Sequence, residues 1–334
     1  MKYMQNINPQ TIWNLTQTEL HALLDSGNLK PRCNIIRFYA PSFTYYKTKH
    51  FCSSTKEFPT ISITGNSCTL NCRHCGGKVL ETMHPALSPN ELFGLGSKLK
   101  AEGAKGVLVS GGCLPDGSVP LEAFTPVLER FKRELGLTVF VHTGITGRRT
   151  AFLLKEAGVD AALIDIIGSE ETVHRTLNLK VTVRDYADSL TALAEAELKV
   201  VPHVIVGLDD GKLGGEHNAL QTIAKNCKPS ALVIIAFMPI HGTEMAKTQP
   251  PKPLDIARVI ATARAMFPQT PLVLGCMRPK GELRAETDVL ALKAGVDAVA
   301  FPSQEAFEYA QSLGYQTVFS SFCCAQMYLD AAGT

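Results

Sequence analysis

The sequence predicts an α/β protein: a parallel (β/α)₈ TIM-type barrel, full or nearly full, with an N-terminal extension and a C-terminal tail over the mouth. From residue 61 onward, short β-branched apolar runs alternate with longer amphipathic stretches, as in βα units around a parallel sheet. Each run is almost continuously apolar, as expected for strands buried on both faces. The chain of 334 residues has room for such a barrel, which takes about 250 residues, and for additions at both ends.

Eight runs are candidate strands of this barrel: 61–65, 106–112, 137–144, 161–167, 200–208, 231–239, 272–279 and 298–303. Helix signals lie between them; Ser88, Pro89 and Glu91, for example, supply an N-cap, a proline at the first helical position and a glutamate at the third.

The two ends of the chain fit the repeat poorly. Residues 1–60 are expected to form helices and a strand near 34–40 that cover the barrel. A strand at 317–321, beyond the eighth, leads into a tail that carries Cys323 and Cys324. The predicted units are therefore an N-terminal extension (1–60), the barrel (61–315) and a C-terminal tail (316–334).

Composition argues against two classes of partner. The 33 basic residues nearly balance 31 acidic ones, and no basic block suggests nucleic-acid binding. The first residues lack the apolar region of a signal peptide, and the longest apolar runs are shorter than the roughly 20 residues that span a bilayer. We therefore expect a cytoplasmic protein that binds neither nucleic acid nor membrane. In a reducing compartment, ten cysteines suggest metal binding or catalysis more than disulfides.

Three cysteines stand directly after the first predicted strand, where (β/α)₈ barrels place their active sites. Cys68, Cys72 and Cys75 have the spacing C-x₃-C-x₂-C. Three thiolates can hold three irons of a [4Fe-4S] cluster and leave the fourth iron open for a chelating ligand. The alternatives are a zinc site with His74 as fourth ligand, although structural zinc usually takes paired short spacings, and buried cysteines without a ligand.

This spacing resembles the radical S-adenosylmethionine (SAM) superfamily. The resemblance implies that the open iron binds the amino and carboxylate groups of SAM, and that an electron then splits the sulfonium to give a 5′-deoxyadenosyl radical. It also implies a set of cofactor contacts. The glycine-rich turn of Ser110, Gly111 and Gly112 would contact the SAM amino group, Asp165 would accept from the ribose hydroxyls, and Arg184 would pair with the SAM carboxylate. Val206 would pack on the adenine, His74 would pack against the cofactor beside the last cysteine, and His142 at a neighbouring strand end is a further candidate.

Four other cysteines are predicted to meet at the same mouth. Cys113 stands where the superfamily usually has Glu, Cys276 ends the seventh predicted strand, and Cys323 and Cys324 lie in the tail. A thiolate group of this size is a natural iron–sulfur or zinc site, so we expect a second, auxiliary iron–sulfur cluster. The alternative is that some of them are small buried hydrophobic residues.

Most of the chain resembles biotin synthase-related radical SAM enzymes, on segments that include 61–64, 109–113, 142–144, 238–243 and 275–279. By that resemblance, Arg278 is a further ligand or an anion anchor near the auxiliary cluster. Cys33 and Cys52, among the remaining thiols, are reserve candidates for its ligands. The nearest resemblance is to the second component of the two-protein lipoyl synthase of archaea and some bacteria.

This resemblance implies a sulfurtransferase that inserts sulfur into unactivated C–H bonds of an octanoyl chain on a lysine. The implied partners are a lipoyl carrier domain or octanoyl-lysine peptide, the second radical SAM component of lipoyl synthase, and an electron donor such as ferredoxin or flavodoxin. Two alternatives stay open: a radical SAM enzyme for methylation, rearrangement or ring formation, and a non-catalytic metal- or cluster-binding partner protein.

Overall fold

The computed structural model describes residues 8–332, and its centre is one sheet in which all ladders are parallel. The strands are β1 (Ile35–Tyr39), β2 (Thr60–Ser62), β3 (His84–Pro85), β4 (Gly106–Ser110), β5 (Thr138–His142), β6 (Ala161–Asp165), β7 (Val200–Val206), β8 (Leu232–Ala236), β9 (Leu272–Leu274), β10 (Ala298–Ala300) and β11 (Gln316–Ser320). Their order across the sheet is β11-β1-β10-β9-β8-β7-β6-β5-β4-β2-β3.

Helices connect these strands. They are α1 (Pro9–Asn14), α2 (Gln17–Asp25), α3 (Pro89–Ala101), α4 (Thr125–Arg133), α5 (Arg148–Glu156), α6 (Glu170–Leu177), α7 (Val183–Glu195), α8 (Glu216–Asn226), α9 (Pro253–Met266), α10 (Glu282–Lys293), α11 (Gln304–Ser312) and α12 (Met327–Ala332). The predicted cap of α3 is present, since the hydroxyl oxygen of Ser88 accepts from the Glu91 amide at 3.3 Å. Among the described residues, no helix is long and apolar enough to cross a membrane.

The predicted TIM-type α/β fold is confirmed. The eight strands expected from the sequence are β2 and β4 to β10, and they follow one another across the sheet in chain order. The curved sheet stays open, because no ladder joins β3 to β11 within residues 8–332. The architecture is therefore an incomplete barrel with its helices between the strands.

The N-terminal segment takes part in the sheet as well as covering it. β1 lies between β10 and β11, with Phe38 in register with Val299 on one side and Phe319 on the other. Arg258 of α9 reaches the end of α1 and donates to the carbonyl oxygens of Trp13 and Leu15 at 2.8 and 2.7 Å. The domain boundaries at residues 60 and 315 stay predictions.

The C-terminal tail returns to the barrel but enters its interior instead of lying over the mouth. Several inward-facing positions on or next to β6, β8 and β10 carry alanine, and the side chains of the tail fill the space that these small residues leave. Those alanines are Ala161, Ala231, Ala298 and Ala300, and the tail residues that pack with them include Cys324, Ala325 and Met327. The hydroxyl of Tyr328 donates to the carbonyl oxygen of Asp160 at 2.8 Å, just before β6 begins.

Candidate functional site

The loop that carries the cysteine motif is fixed by its neighbours. After β2 it leans on the loop that follows β4, where the Thr69 amide donates to the carbonyl oxygen of Cys113 at 2.9 Å. On its other side, Asn178 caps the end of α6 and donates its side-chain amide to the Asn71 carbonyl oxygen at 2.9 Å. The Arg73 amide donates to the carbonyl oxygen of Thr176 at 2.9 Å. The backbone of the motif is therefore preorganised by two surrounding segments, the loop after β4 and the end of α6.

The thiols of this loop form two close pairs. A hydrogen bond from the Cys113 thiol lowers the pKa of Cys68 to about 5, although partial burial opposes the shift. A hydrogen bond from Cys72 likewise lowers the pKa of Cys75 to about 4 against its burial. The same hydrogen bonds, together with burial, raise the pKa of Cys72 and Cys113. One sulfur of each pair is thus favoured as a thiolate, the form that binds metal.

The donor set fits an iron–sulfur cluster better than the zinc site considered above. The donor atoms of Cys72, His74 and Cys75 lie within 4.8 Å of one another. Cys68 is outside that group and beside Cys113, so the three thiols and His74 do not surround a single ion. A cube holds its irons at separate corners and therefore takes ligands that are spread more widely. The buried Nδ1 atom of His74 has no hydrogen-bond partner in the part of the chain that the structure describes.

The glycine-rich turn lies against the cysteine loop. A Cβ atom on Gly112 would stand 2.0 Å from the Ser67 carbonyl oxygen and 2.6 Å from Cys68 Cα, so the approach requires glycine. The Gly112 amide donates to Thr64 Oγ1 at 2.7 Å, and the Ser110 hydroxyl donates to the His142 carbonyl oxygen at 3.1 Å. The structure therefore places this turn beside the motif, while its contact with a cofactor stays a prediction.

The structure corrects the placement of Arg184. Its side chain is 88% exposed and pairs with Asp188 at 3.8 Å. A capping box between Thr182 and Asp185 begins α7, and it turns Arg184 in the first turn toward solvent. The buried face begins at Tyr186, whose pKa is raised by burial, then by the charges of Asp165 and Cys113. The sequence analysis did not single out Tyr186 as a site residue. The signal was its position four residues before Leu190, which places both side chains on the same buried face of α7.

Val206 is also misplaced by the sequence prediction. It packs in the apolar layer between sheet and helices, with Val204. Side chains alternate along a strand, and Val201 of β7 faces the barrel interior. Val206 is an odd number of residues from Val201, so it points to the opposite face and does not line the mouth.

Three polar side chains meet inside the barrel toward the carboxyl ends of β5, β6 and β7. The Nε2 atom of His142 lies 3.5 Å from Oδ1 of Asp165, and the ring centres of His142 and His203 are 5.6 Å apart. Burial lowers the pKa of His142, but the Asp165 carboxylate outweighs it and the net shift is upward. Burial lowers the pKa of His203 to about 4. His203 was missed, although a histidine within the apolar run of β7 was a signal.

A second group of thiols lies within the barrel. Cys276 follows β9, and its thiol hydrogen-bonds with that of Cys324; this contact and burial raise its pKa. Cys323 is adjacent, and all three pack with the interior cluster. Cys113 is the exception among the four predicted auxiliary ligands: it lies beside Cys68, because β4 and β9 are far apart in the sheet order.

Arg278 supports this second group through the backbone and not as a ligand. Its fully buried guanidinium forms a bidentate ion pair with Asp288 at 2.7 and 3.0 Å. It also donates to the carbonyl oxygens of Gly275 and Phe301 at 2.7 and 3.2 Å. These bonds fix the loop on which Cys276 stands. The reserve candidates lie elsewhere: Cys33 Sγ donates to the Ile35 carbonyl oxygen at 3.7 Å, and exposed Cys52 contacts the Tyr45 hydroxyl at 3.5 Å.

Comparisons with known proteins match much of the chain to radical SAM enzymes. Residues 62–211 match the family model of the radical SAM superfamily. The biotin synthase of Zymomonas mobilis is 27% identical over 267 residues, covering 77% of this chain and 77% of that enzyme. The biotin synthase of Legionella pneumophila is 26% identical over 262 residues, covering 77% of this chain and 81% of that enzyme.

Solved structures with the same fold include methylornithine synthase (PylB) and HydG, a maturase of the [FeFe]-hydrogenase. PylB has a TM-score of 0.62 at 16% identity and covers 95% of this chain and 96% of its own. HydG has a TM-score of 0.66 at 17% identity and covers 98% of this chain and 75% of its own. At these identities the likeness concerns the fold alone.

Proposed function

We propose that this chain, whose residues 62–211 match the family model of the radical SAM superfamily, is a radical SAM sulfurtransferase that inserts sulfur into unactivated C–H bonds. Cys68, Cys72 and Cys75 would hold a [4Fe-4S] cluster whose open iron binds SAM, and Cys276, Cys323 and Cys324 would hold an auxiliary cluster. When bound, the first cluster with SAM supplies a 5′-deoxyadenosyl radical and the second supplies sulfide.

The observation that carries the proposal is the second thiol group. Cys276 and Cys324 are in direct contact inside the barrel whose rim carries the Cys68–Cys75 loop. A radical reaction that needs only SAM cleavage does not require a second group of thiols. Three thiols on the inner side of a barrel are suited to an iron–sulfur site. The similarity to biotin synthases independently supports the same reaction class.

The remaining residues would position these groups and exclude water. Arg278 and Asp288 fix the loop of Cys276 from a fully buried position. Tyr186 is buried and lies near enough to Asp165 for that charge to raise its pKa. For each C–S bond formed, one electron from a donor such as ferredoxin or flavodoxin would cleave one SAM to methionine, and the hydrogen atom of the C–H bond would leave in 5′-deoxyadenosine. The electron released when sulfide bonds to that carbon would be taken up by iron of the auxiliary cluster.

We propose an octanoyl chain on the lysine of a lipoyl carrier domain as the substrate, and a second radical SAM lipoyl synthase component as a partner. The support is the resemblance of the motif segments described above, which extends from β1 to the tail. A carrier arm would enter from the carboxyl ends of the strands, where the Cys68–Cys75 loop and His142 are found.

The test is mass spectrometry of an octanoylated carrier peptide after anaerobic turnover with the reconstituted enzyme, with and without the second component. The expected product carries one or two added sulfurs and forms together with 5′-deoxyadenosine. Cys276→Ser should still yield 5′-deoxyadenosine but no sulfur product, and the matched control is Cys227→Ser, at the end of α8.

Two other results would overturn the proposal in different ways. A peptide changed without sulfur would assign another radical SAM reaction, such as methylation or rearrangement. A fully loaded protein that never forms 5′-deoxyadenosine with any carrier peptide or second component would be a cluster-binding partner and not an enzyme.

A further inference from the structure

The polar group of His142, Asp165 and His203 stands on an otherwise apolar inner wall. Phe140, Leu163 and Val201 face the interior from β5, β6 and β7. Because side chains alternate, the next inward positions on these strands, two residues later, are His142, Asp165 and His203. In register, Asp165 pairs with His203 across the β6–β7 ladder. Three neighbouring strands therefore present one polar side chain each at adjacent inward positions.

In the described part of the chain, two of the three residues have a donor atom without a hydrogen-bond partner, and Nε2 of the third, His142, faces Oδ1 of Asp165 at 3.5 Å. The Nδ1 atom of His203 lies 3.1 Å from the Val201 carbonyl oxygen, which can only accept, so Nδ1 carries the hydrogen and Nε2 keeps its lone pair. Oδ1 of Asp165 is buried and accepts no hydrogen bond from any residue between 8 and 332. One donor atom from each residue lies within 4.8 Å of the other two.

We propose that His142, Asp165 and His203 bind a divalent first-row metal ion. Two imidazoles and one carboxylate on one side of the ion are a known ligand set for such metals, and they leave positions open toward the barrel interior. The hydrogen bond from His203 Nδ1 to a carbonyl oxygen is the outer support that metal-binding histidines generally have. A simple ion pair between His142 and Asp165 would not explain why His203 lies next to these two residues with the hydrogen on its Nδ1 atom.

The site shares no ligand with either thiol group, although Asp165 lies near enough to Cys113 for its charge to raise the pKa of that thiol. Its ligands are nitrogen and oxygen atoms, whereas the thiol groups are soft donors. Asp165 and His142 are also predicted SAM contacts, so the binding is predicted for the protein without SAM and is measured without SAM cleavage or sulfur transfer.

The probe is Mn²⁺, which prefers oxygen and nitrogen ligands to thiolates. Cluster-loaded, full-length protein is titrated anaerobically with Mn²⁺, and electron paramagnetic resonance measures the free ion. One saturable Mn²⁺ per chain is expected. Asp165→Asn and His203→Gln should each weaken binding at least about tenfold, as loss of a ligand does. The matched control is His21→Gln, an exposed histidine of α2, which should bind as the unchanged protein does.

A second measurement makes the test independent of how well the variants fold. Pulsed electron paramagnetic resonance of the Mn²⁺ complex should detect histidine nitrogens coupled to the ion in the unchanged protein. The proposal is overturned if no saturable Mn²⁺ binds, if the bound ion shows no nitrogen coupling, or if correctly folded Asp165→Asn and His203→Gln proteins with normal iron content bind as tightly.

Discussion

The thiol of Cys324, in the C-terminal tail, is hydrogen-bonded to the thiol of Cys276 at the carboxyl end of β9. The contact lies inside the barrel, so the tail supplies part of an internal site and is not a cover. Replacing Cys323 and Cys324 together with alanine should therefore remove one cluster and leave the other. We expect iron to fall from about eight to about four per chain, since each [4Fe-4S] cluster contributes four.

In that double variant the Cys68–Cys75 loop is untouched, and reductive SAM cleavage should persist. Iron analysis and quantification of 5′-deoxyadenosine check the two parts separately. Unchanged iron would exclude both tail cysteines as ligands, and loss of all SAM cleavage would show that the two thiol groups are not independent.

The three cysteines of the motif carry the opposite prediction. Cys68→Ala, Cys72→Ala or Cys75→Ala each removes one of the thiols that would hold the SAM-binding cluster, so 5′-deoxyadenosine formation should be abolished. Cys227→Ala is the control, because its thiol belongs to neither group. Measurable 5′-deoxyadenosine from a motif variant would argue against the assigned cluster.

Arg184 should be dispensable for SAM binding. Its side chain is almost fully exposed and its partner is the surface residue Asp188. Exposed changes usually alter energies by less than about 0.5 kcal/mol, so Arg184→Ala should change the KM for SAM by no more than about twofold. Tyr186→Leu should have the larger effect, because Tyr186 is buried near Asp165. Steady-state kinetics of SAM cleavage compare the two, and the reverse order would restore the original placement of Arg184.

The sequence predicted the barrel strands well because their signal is local. Apolar runs at regular intervals define β2 and β4 to β10 without knowledge of any distant contact. The positions that it missed depend on non-local geometry. The insertion of β1 beside β10 and the path of the tail through the interior follow from small inward residues such as Ala298 and Ala300, which no periodicity reveals.

The same limit applies to the site. The spacing of Cys68, Cys72 and Cys75 is a local motif and could be read directly. Cys113 lies beside Cys68 and not, as predicted, beside Cys276. This arrangement depends on the order of the strands in the sheet, which the sequence motif does not contain. The outward turn of Arg184 depends on the capping box of α7, which fixes which residues of the first turn face solvent.

A buried ion pair at the amino ends of β9 and β10 should dominate local stability. Asp297 accepts from Arg264 at 2.5 Å and from the amides of Leu272 and Arg32 at 2.7 and 2.6 Å, and both charged side chains are fully buried. Asp297→Ala leaves the guanidinium without its counter-charge, which typically costs about 3–5 kcal/mol. Urea unfolding followed by circular dichroism measures the loss.

The control for this prediction is Glu129→Ala, which breaks an exposed ion pair with Arg133 on α4. Surface pairs of this kind contribute about 0.3–0.5 kcal/mol, so the unfolding midpoint should barely move. Equal effects of the two variants would mean that burial does not set the strength of the Asp297 interaction.

Arg73, inside the cysteine motif, ties the loop to two others. Its Nε atom donates to Glu244 at 2.5 Å, and Nη1 lies 3.5 Å from Asp210. Arg175 pairs with Asp209 and Asp210, so the segment that carries Asp210 is itself fixed.

Arg73→Gln removes the positive charge of this side chain and should loosen the Cys68–Cys75 loop while its three thiols remain. We therefore expect an unchanged iron content after reconstitution but a severalfold faster loss of iron to an added chelator. Arg149→Gln, which breaks an exposed pair with Glu122 elsewhere, is the matched control. If both variants release iron at the rate of the unchanged protein, the ion pairs of Arg73 do not hold the loop, and the hydrogen bonds from the Thr69 backbone amide and the Asn178 side chain are sufficient for that role.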